Sequence, residues 1–267
     1  MNAEPMIGVA PLEVAVPLIE LDHVTRTFGR GAKKTHALRG VSLNVEAGRS
    51  LGIVGESGAG KSTILKLLMG LDQPTSGEVR FTGQPLTVRN RKLMRQFRSQ
   101  VQIVFQDPRS SLDPRMSVGS IIAEPLRSLG TPGDRKARVD EVLGWVGLDS
   151  SAASKYPAQF SGGQRQRIAI ARALAPAPAV LVADEPVSAL DVSVRSQIID
   201  LLDSLKKDLG LTLVMVSHDM AIVGQLCEET IVLRDGQIEE AGNTRQVLTA
   251  PRAEYTKKLL EAVPTLS

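Results

Sequence analysis

The sequence predicts an α/β fold organised around a parallel β-sheet, and three observations lead to this prediction. Strand-like and helix-like segments alternate through most of the 267 residues. Residues 180–183 form a continuous apolar run ending in Asp184, which is typical of a strand buried on both faces. A glycine-rich loop at 55–62 lies between a strand-like and a helix-like segment. Hydrophobic residues make up 42% of the chain, which is enough for a sizeable core.

Predicted strands dominate the first part of the chain. Pro5, Pro11 and Pro17 predict a loose arm over residues 1–17, and a polar loop is expected at 29–35. The predicted strands are 18–24, 41–45, 50–54, 78–81 and 101–105, and the predicted helices are 61–70 and 89–98.

The later part of the chain alternates helices with buried strands. A proline- and serine-rich loop is expected at 107–117, and the helical pattern over 118–148 should break at Pro125 and at 130–133. Further predicted helices are 162–174, 194–209 and two that follow Asn243 and Arg252. The remaining predicted strands are 180–183, 211–216 and the hairpin pair 231–233 and 237–239 around Asp235-Gly236.

Composition excludes several classes of function. Lys and Arg total 32 against 29 Asp and Glu, and a formal charge of +3 gives no argument for a nucleic-acid partner. The basic run at 89–98 holds one aromatic residue, Phe97, and is expected to be a solvated helix face. Cys227 is the only cysteine, so an intrachain disulfide or a cysteine metal cluster is impossible. No apolar run approaches the roughly 20 residues that span a bilayer, so a soluble, cytoplasmic chain is expected.

The glycine-rich loop GESGAGKS matches the G-x-x-x-x-G-K-[ST] pattern of a phosphate-binding loop. Its glycines allow the backbone to fold around an anion, and the helix that follows adds a partial positive charge. Lys61 is expected to reach the β- and γ-phosphates, and the Ser62 hydroxyl to ligate Mg²⁺. A chance glycine-rich turn is the alternative, which the flanking strand and helix disfavour. The motif predicts a nucleoside triphosphate ligand, and kinases, GTPases, motors and transporters all share it.

Acidic and polar side chains end three predicted strands. Asp184 is a candidate for holding Mg²⁺ through water, and Glu185 for orienting or deprotonating an attacking water. His218 and Gln106 end two other apolar strands, and strand ends cluster at one edge of a parallel sheet. The alternatives are acids that merely meet solvent, a structural histidine and a surface amide. The phosphate loop favours a functional interpretation, because it supplies the ligand that the acids need.

The segment SGGQ at 161–164 predicts a second helix start that binds an anion. Ser161 is expected to cap the helix, while Gly162 and Gly163 permit close approach of the backbone. Two such helix starts with one nucleotide indicate a site shared between two subunits. Taken alone, the segment is better explained by a simple capped helix after a loop.

Together these motifs resemble the nucleotide-binding subunits of ABC transporters. They are GESGAGKS at 55–62, Gln106, FSGGQ at 160–164, VLVADE at 180–185, SALD at 188–191 and His218, with Phe28 ahead of them. The resemblance implies a P-loop ATPase domain at 18–242 with a RecA-like core, an antiparallel β subdomain and a helical subdomain at about 107–175. A C-terminal helical tail would follow at 243–267. Phe160 and Phe28 depart from the Leu and Tyr that are more usual in the family.

The resemblance also implies roles for single residues. Glu185 would be the catalytic base, His218 would contact the γ-phosphate, and Phe28 would stack on adenine. Mg²⁺ would be held by Ser62, Gln106 and Asp184. ATP would be bound by Gly55, Glu56, Ser57, Gly58, Ala59, Gly60, Lys61, Ser62 and Thr63 of one subunit. In a head-to-tail dimer the opposite subunit would contribute Ser161, Gly162, Gly163 and Gln164, with Asp191 linking the two sites.

The segments 104–126, 183–202 and 250–264 are most similar to the oligopeptide, dipeptide and nickel importer group. This similarity implies an ATPase at the cytoplasmic face of the cell membrane, held there by transmembrane permease subunits. A second ATPase subunit, identical or related, and an extracytoplasmic solute-binding protein would complete the system. The loop at 107–120 is expected to receive a helix of the membrane subunit, with Leu112 and Met116 at the contact.

Two other classes fit part of the pattern. Soluble ABC ATPases of DNA repair or translation commonly carry a long coiled-coil insertion or two cassettes, and Gln106 follows Lys61 too closely for such an insertion. A P-loop kinase would leave SGGQ and His218 without a role. A transport ATPase is therefore the leading prediction, with its cargo open.

Overall fold

The computed structural model describes residues 16–261, which form two β-sheets with helices around them. Nearly all of the predicted arm at 1–17 and the end of the predicted tail lie outside the described residues. The strands are Ile19–Phe28 (β1), Thr35–Val45 (β2), Leu51–Val54 (β3), Ser76–Phe81 (β4), Gln84–Pro85 (β5), Val101–Val104 (β6), Val180–Asp184 (β7), Thr212–Ser217 (β8), Glu229–Arg234 (β9) and Gln237–Asn243 (β10).

Helices follow most of the strands. The α-helices are Lys61–Leu68 (α1), Arg91–Gln100 (α2), Pro108–Ser111 (α3), Val118–Ser128 (α4), Arg135–Trp145 (α5), Gly162–Leu174 (α6), Val192–Leu209 (α7), Met220–Leu226 (α8), Thr244–Thr249 (α9) and Glu254–Glu261 (α10). Short 3₁₀ helices lie at Gly31–Lys33, Ser150–Ser154 and Pro157–Gln159. Within residues 16–261, no helix combines the length and apolar composition needed to cross a bilayer.

The larger sheet brings the ends of its parallel strands to one edge. Its order is β10-β9-β3-β8-β7-β6, and only the β10–β9 pair is antiparallel. Val54 at the end of β3 pairs with Ser217 of β8, and Asp184 at the end of β7 pairs with Val216. The smaller, antiparallel sheet has the order β2-β1-β4-β5. The predicted α/β fold, with its parallel core and antiparallel part, is therefore confirmed.

Two apolar clusters hold these layers together. One fills the space between the two sheets and includes an edge-to-face pair, Phe81 and Phe97, with ring centroids 5.2 Å apart. The other joins α4, α5 and α6 to the parallel sheet and includes one face of α7. Ile198, Leu202 and Leu205 recur on that face at helical spacing, which explains why α7 forms where the sequence predicts it.

The predicted helix break at Pro125 is wrong. Pro125 lies inside α4, where it is buried together with Ile121, Ile122 and Leu126. This packing outweighs the loss of one backbone hydrogen bond, since tertiary contacts supply most of the stability of a helix in a folded protein. The break at 130–133 is present between α4 and α5.

The predicted place of Leu112 at the contact with the membrane subunit is also wrong. Leu112 is 2% exposed and belongs to the apolar cluster under α4 and α6. The proline-rich segment that contains it folds into the short helix α3, which the Asp107 carboxylate caps by accepting from two backbone N–H groups. Met116 is partly buried against the same cluster. An apolar side chain in this segment therefore serves the core, and an aspartate at 112 would test stability instead of docking.

Candidate active site

The phosphate loop borders a cavity at the carboxyl edge of the parallel sheet. The loop connects the end of β3 to the start of α1, as the sequence predicts. The cavity measures about 400 Å³. Its walls are formed by Thr35, His36, Ala37, Ser57, Gly58, Gly60, Lys61, Ser62, Thr63, Gln106, Asp184, Glu185, Val216 and His218. The structure thus brings most of the predicted site residues into one place, which strand ends at a common edge explain.

Two loop glycines are required by close backbone packing. Gly55 has φ +153°, and a Cβ atom there would stand 2.2 Å from the carbonyl oxygen of Leu233. Gly60 has φ +109°, and its Cβ would stand 2.7 Å from the carbonyl oxygen of Ala37. A side chain at either position would push the loop away from β9 or β2.

Lys61 lies inside the loop with its ammonium group directed at the loop's own carbonyls. Nζ donates to the carbonyl oxygens of Gly55, at 2.5 Å, and Glu56, at 2.8 Å. Burial lowers the pKa of Lys61, while the carboxylates of Glu185 and Asp184 oppose that shift. The cation therefore stands in a partly desolvated position where an anion would gain strongly from pairing with it.

Glu185 links the two other strand-end residues. Its carboxylate accepts from Gln106 Nε2 at 3.2 Å and lies 3.0 Å from His218 Nδ1. Its backbone has φ +43°, which is uncommon for a residue with a side chain, and its N–H donates to the carbonyl of Val216 at 2.9 Å. The backbone conformation and these contacts hold the carboxylate in the wall of the cavity. Strain of this kind is concentrated at functional sites.

Asp184 is partly buried beside Glu185. Burial raises the pKa of Asp184, the adjacent charge of Glu185 raises it further, and Lys61 opposes both. A cation placed beside Asp184 would stabilise its ionised form.

The donor set fits a hard divalent cation. The Ser62 hydroxyl, the Gln106 amide oxygen and the Asp184 carboxylate belong to residues that line the same cavity, and all are oxygen donors of the kind Mg²⁺ prefers. The described residues contain no cluster of three His, Cys, Asp or Glu side chains suited to a metal. Mg²⁺ sites that include substrate phosphates use only one or two carboxylates. A magnesium site with the single carboxylate of Asp184 therefore does not require such a cluster.

Phe28 lies near the cavity but is not part of its wall. It ends β1 opposite Thr35, which does line the cavity. The Arg26 guanidinium stands 4.5 Å from the centre of the Phe28 ring and also forms a two-bond pair with Asp72. One face of the ring is thus already covered by a cation held in place, and stacking of adenine on Phe28 stays a prediction.

The SGGQ segment forms a capped helix start away from the cavity. The Ser161 hydroxyl accepts from the Gln164 N–H at 3.3 Å, and Gln164 Oε1 accepts from the Ser161 N–H at 3.0 Å. Gly162 is exposed beside them. Asp191 stands at the start of α7 with an exposed side chain that makes no capping hydrogen bond. Within one chain, these residues and the phosphate loop therefore belong to separate surfaces.

Gly163 allows α6 to approach α7 closely. A Cβ atom at Gly163 would stand 2.4 Å from Cγ1 of Val194, a β-branched side chain with little freedom to move. We expect Gly163→Ala to lower the free energy of unfolding by about 1–3 kcal/mol. Urea denaturation measures this change.

The matched control is Gly144→Ala in α5, where nothing lies within 4 Å of the added methyl group. That variant should be neutral or more stable, since alanine favours helix. Combining Gly163→Ala with Val194→Ala should recover part of the loss. An equal loss with and without Val194 would contradict the proposed clash.

Sequence reasoning missed one part of the cavity wall and one contact to the loop. Thr35, His36 and Ala37 line the cavity because β2 begins at Thr35, where the sequence predicts the end of a polar loop. Tyr255 of α10 contacts the phosphate loop from the far end of the chain. No local signal identifies either feature, because both depend on how distant strands pair.

A phosphate loop on a parallel sheet, an acid at the neighbouring strand end and a separate SGGQ helix start define an ATP-binding cassette. Residues 38–188 match the ABC transporter family, so the chain belongs to this family. The chain is similar in structure to the ATP-binding cassette MJ0796, solved as a dimer in a post-hydrolysis state bound to ADP and Pi. The TM-score is 0.75 at 35% identity, over 85% of this chain and 99% of that one.

Two curated relatives show which group within the family this chain resembles. The oligopeptide transport ATP-binding protein OppD of Mycobacterium tuberculosis is 44% identical over 96% of this chain, which spans only 43% of that protein's length. The oligopeptide transport ATP-binding protein OppF of Lactococcus lactis is 42% identical over 90% of this chain and 76% of that protein. These relatives confirm the predicted resemblance to the peptide importer group. They give no support to the alternative of a DNA repair or translation ATPase.

Proposed function

We propose that this chain is the ATP-hydrolysing subunit of an ABC importer for peptides or related small solutes, nickel included. The observation that carries the proposal is the Glu185 carboxylate, held between Gln106 and His218 in the wall of the cavity that Lys61 also lines. The names of OppD and OppF support peptides as the cargo class.

The phosphate loop binds the triphosphate of ATP. Backbone N–H groups at residues 57–63 surround the phosphates, and the start of α1 adds a partial positive charge. Lys61 exchanges its bonds to the loop carbonyls for phosphate oxygens. Ser62, Gln106 and Asp184 would hold Mg²⁺, which would neutralise phosphate charge when bound. Phe28, already stacked by Arg26, offers its free face to the adenine ring.

Glu185 removes a proton from the attacking water. The water oxygen forms a bond to the γ-phosphorus, the bond from that phosphorus to the ADP oxygen breaks, and the water proton passes to the Glu185 carboxylate. His218 and Gln106 hold that carboxylate in place from either side. Their second function is to sense the γ-phosphate and the cation, since both side chains also line the cavity.

A second ATPase subunit, the same or a related chain, completes the site. Ser161, Gly162, Gly163 and Gln164 are directed at ATP bound by the opposite subunit, and Asp191 links the two sites. The separation of this helix start from the chain's own cavity supports the arrangement, as does the dimeric form of MJ0796. The peptide N–H groups at the start of α6 supply the anion-binding contacts.

The segment after Gln106 joins the ATPase to transmembrane permease subunits at the cytoplasmic face of the membrane. Its buried side includes Leu112, and its exposed side presents Arg109 and Arg115. Arg172 of α6 donates to the Ser111 carbonyl at 2.5 Å. A displacement of this segment would therefore be transmitted directly to α6, the helix that begins at SGGQ. An extracytoplasmic solute-binding protein delivers the cargo to the permease.

Charge reversal at Arg109 tests this proposal. We expect Arg109→Glu to reduce transport at least tenfold in vesicles containing the copurified permease, because the exposed cation meets the membrane subunit. ATP binding by the isolated chain should stay unchanged, since Arg109 is exposed, its N–H donates to Asp107 of the same segment, and it does not line the cavity. Arg98→Glu on the solvated face of α2 is the matched control. Normal transport by Arg109→Glu would contradict the proposed docking surface. Absence of ATP hydrolysis by the wild-type assembly would contradict the proposed function.

A further inference from the structure

Both ends of the peptide group between Gly55 and Glu56 are held by side chains. Gly55 lacks a side chain and has φ +153°, so the peptide plane that follows it could rotate easily. Lys61 donates to its carbonyl oxygen at 2.5 Å. On the opposite end, the Glu56 N–H donates to the Tyr255 hydroxyl at 3.4 Å.

Tyr255 itself is firmly placed. The residue is 8% exposed within the apolar cluster of the parallel sheet, and the Arg234 guanidinium stands 4.8 Å from the centre of its ring. Arg234 is the last residue of β9, the neighbour of β3 in the sheet. The tyrosine therefore reaches the loop from a position fixed by the strand beside the loop.

The start of α10 is anchored to the same part of the sheet. The Glu240 carboxylate of β10 accepts from the N–H groups of Arg252 and Ala253, at 2.9 and 3.1 Å. These two residues precede α10 directly. A carboxylate that accepts two backbone N–H bonds fixes the position at which Tyr255 enters the helix.

Binding of a phosphate would remove one of the two side chains, Lys61, from the Gly55–Glu56 peptide group. If Lys61 turns to the phosphates, as the proposed function requires, the Gly55 carbonyl loses its donor. Tyr255 then remains as the side chain that fixes the orientation of this peptide group. A loop that keeps its shape when the lysine leaves binds its ligand without an added ordering cost.

We propose that Tyr255 is a positioning residue for ATP, fixing the Gly55–Glu56 peptide group so that the phosphate loop stays formed when Lys61 moves to the nucleotide. The proposal rests on the proposed function and deepens it: the C-terminal helix α10 is part of the ATP-binding machinery.

Tyr255→Phe is the direct test, because it keeps the ring and its contact with Arg234 and removes only the hydroxyl. We expect its Kd for ATP, measured by calorimetry in EDTA, to rise about three- to tenfold, the range for one lost hydrogen bond. Turnover at saturating Mg-ATP should stay within twofold, since the reacting groups are untouched. Melting temperature without nucleotide should change little. Tyr156→Phe, an exposed tyrosine, is the matched control.

A spectroscopic measurement separates positioning from general packing. Tyr156 and Tyr255 are the only tyrosines, so 3-fluorotyrosine labelling gives two ¹⁹F resonances, and the one lost in Tyr255→Phe is assigned to Tyr255. Titration with ATP should shift this resonance and leave that of Tyr156 in place. Arg234→Gln, which removes the cation above the ring, should weaken ATP binding in the same direction and less strongly.

The outcomes distinguish this inference from the proposed function. Unchanged ATP affinity in Tyr255→Phe, or a Tyr255 resonance insensitive to ATP, would overturn the positioning role of Tyr255. The ATPase assignment would be unaffected by that result, provided that the wild-type chain binds ATP. A wild-type chain that binds no ATP would instead overturn the proposed function. A weakened Kd with a shifted resonance and an unchanged melting temperature supports the inference.

Discussion

Replacing Glu185 with Gln is expected to reduce the saturated rate of ATP hydrolysis by about 10²–10⁴-fold, the range for removal of a general base. The amide has nearly the same shape, and its oxygen still accepts from Gln106. It cannot take the proton of the attacking water. ATP affinity should be retained or increased, because a negative charge next to the triphosphate disappears.

The variant should also accumulate as an ATP-bound dimer. ATP joins the two subunits across the shared site of the proposed function, and we expect its hydrolysis to release them. Size-exclusion chromatography with Mg-ATP should therefore show a stable dimer that wild type does not form. Glu239→Gln on the exposed side of β10 is the matched control and should hydrolyse ATP normally. Turnover of Glu185→Gln within threefold of wild type would assign the base to another group.

Sequence patterns predict well which residues meet at the carboxyl edge of the parallel sheet, because these residues lie at positions defined by local rules. Asp184, Glu185 and His218 each follow an apolar run, and strand ends of a parallel sheet share one edge whatever the order of the strands. The phosphate loop carries its own signal in its glycines and Lys61. These features depend on short segments, so the cavity that contains them is predictable before the strand order is known.

Features made by contacts between distant segments are not predictable in this way. Glu56 and Tyr255 are 199 residues apart, and their contact exists only because β10 and α10 return to the neighbour of β3. The sequence predicts Leu112 as part of a loop that contacts a partner, yet its apolar side chain is buried in the core beside α6. Pro125 reads as a break, but burial keeps its helix intact. In each case tertiary packing overrides a local preference.

Lys61→Ala is expected to weaken ATP binding about 100-fold, because a desolvated cation that pairs with phosphate oxygens typically contributes several kcal/mol. The effect should appear in Kd itself, in contrast to Glu185→Gln, where turnover changes and binding does not. Isothermal titration calorimetry in EDTA measures it without interference from hydrolysis. Lys66→Ala, an exposed lysine on the same helix α1, is the matched control and should bind ATP normally.

The loop should survive this substitution, so that the loss of affinity reports on the missing charge. The carbonyl of Ala59 still accepts from the Gly236 N–H at 2.9 Å, and Tyr255 still holds the Glu56 N–H. Melting temperature without nucleotide should therefore fall by no more than a few degrees, while the rise in melting temperature caused by saturating ATP should largely disappear. Retained tight binding at an unchanged melting temperature would contradict the role of Lys61. The double variant Lys61→Ala, Tyr255→Phe adds a sharper expectation: if the two side chains hold the two ends of one peptide group, their effects on affinity should not be additive.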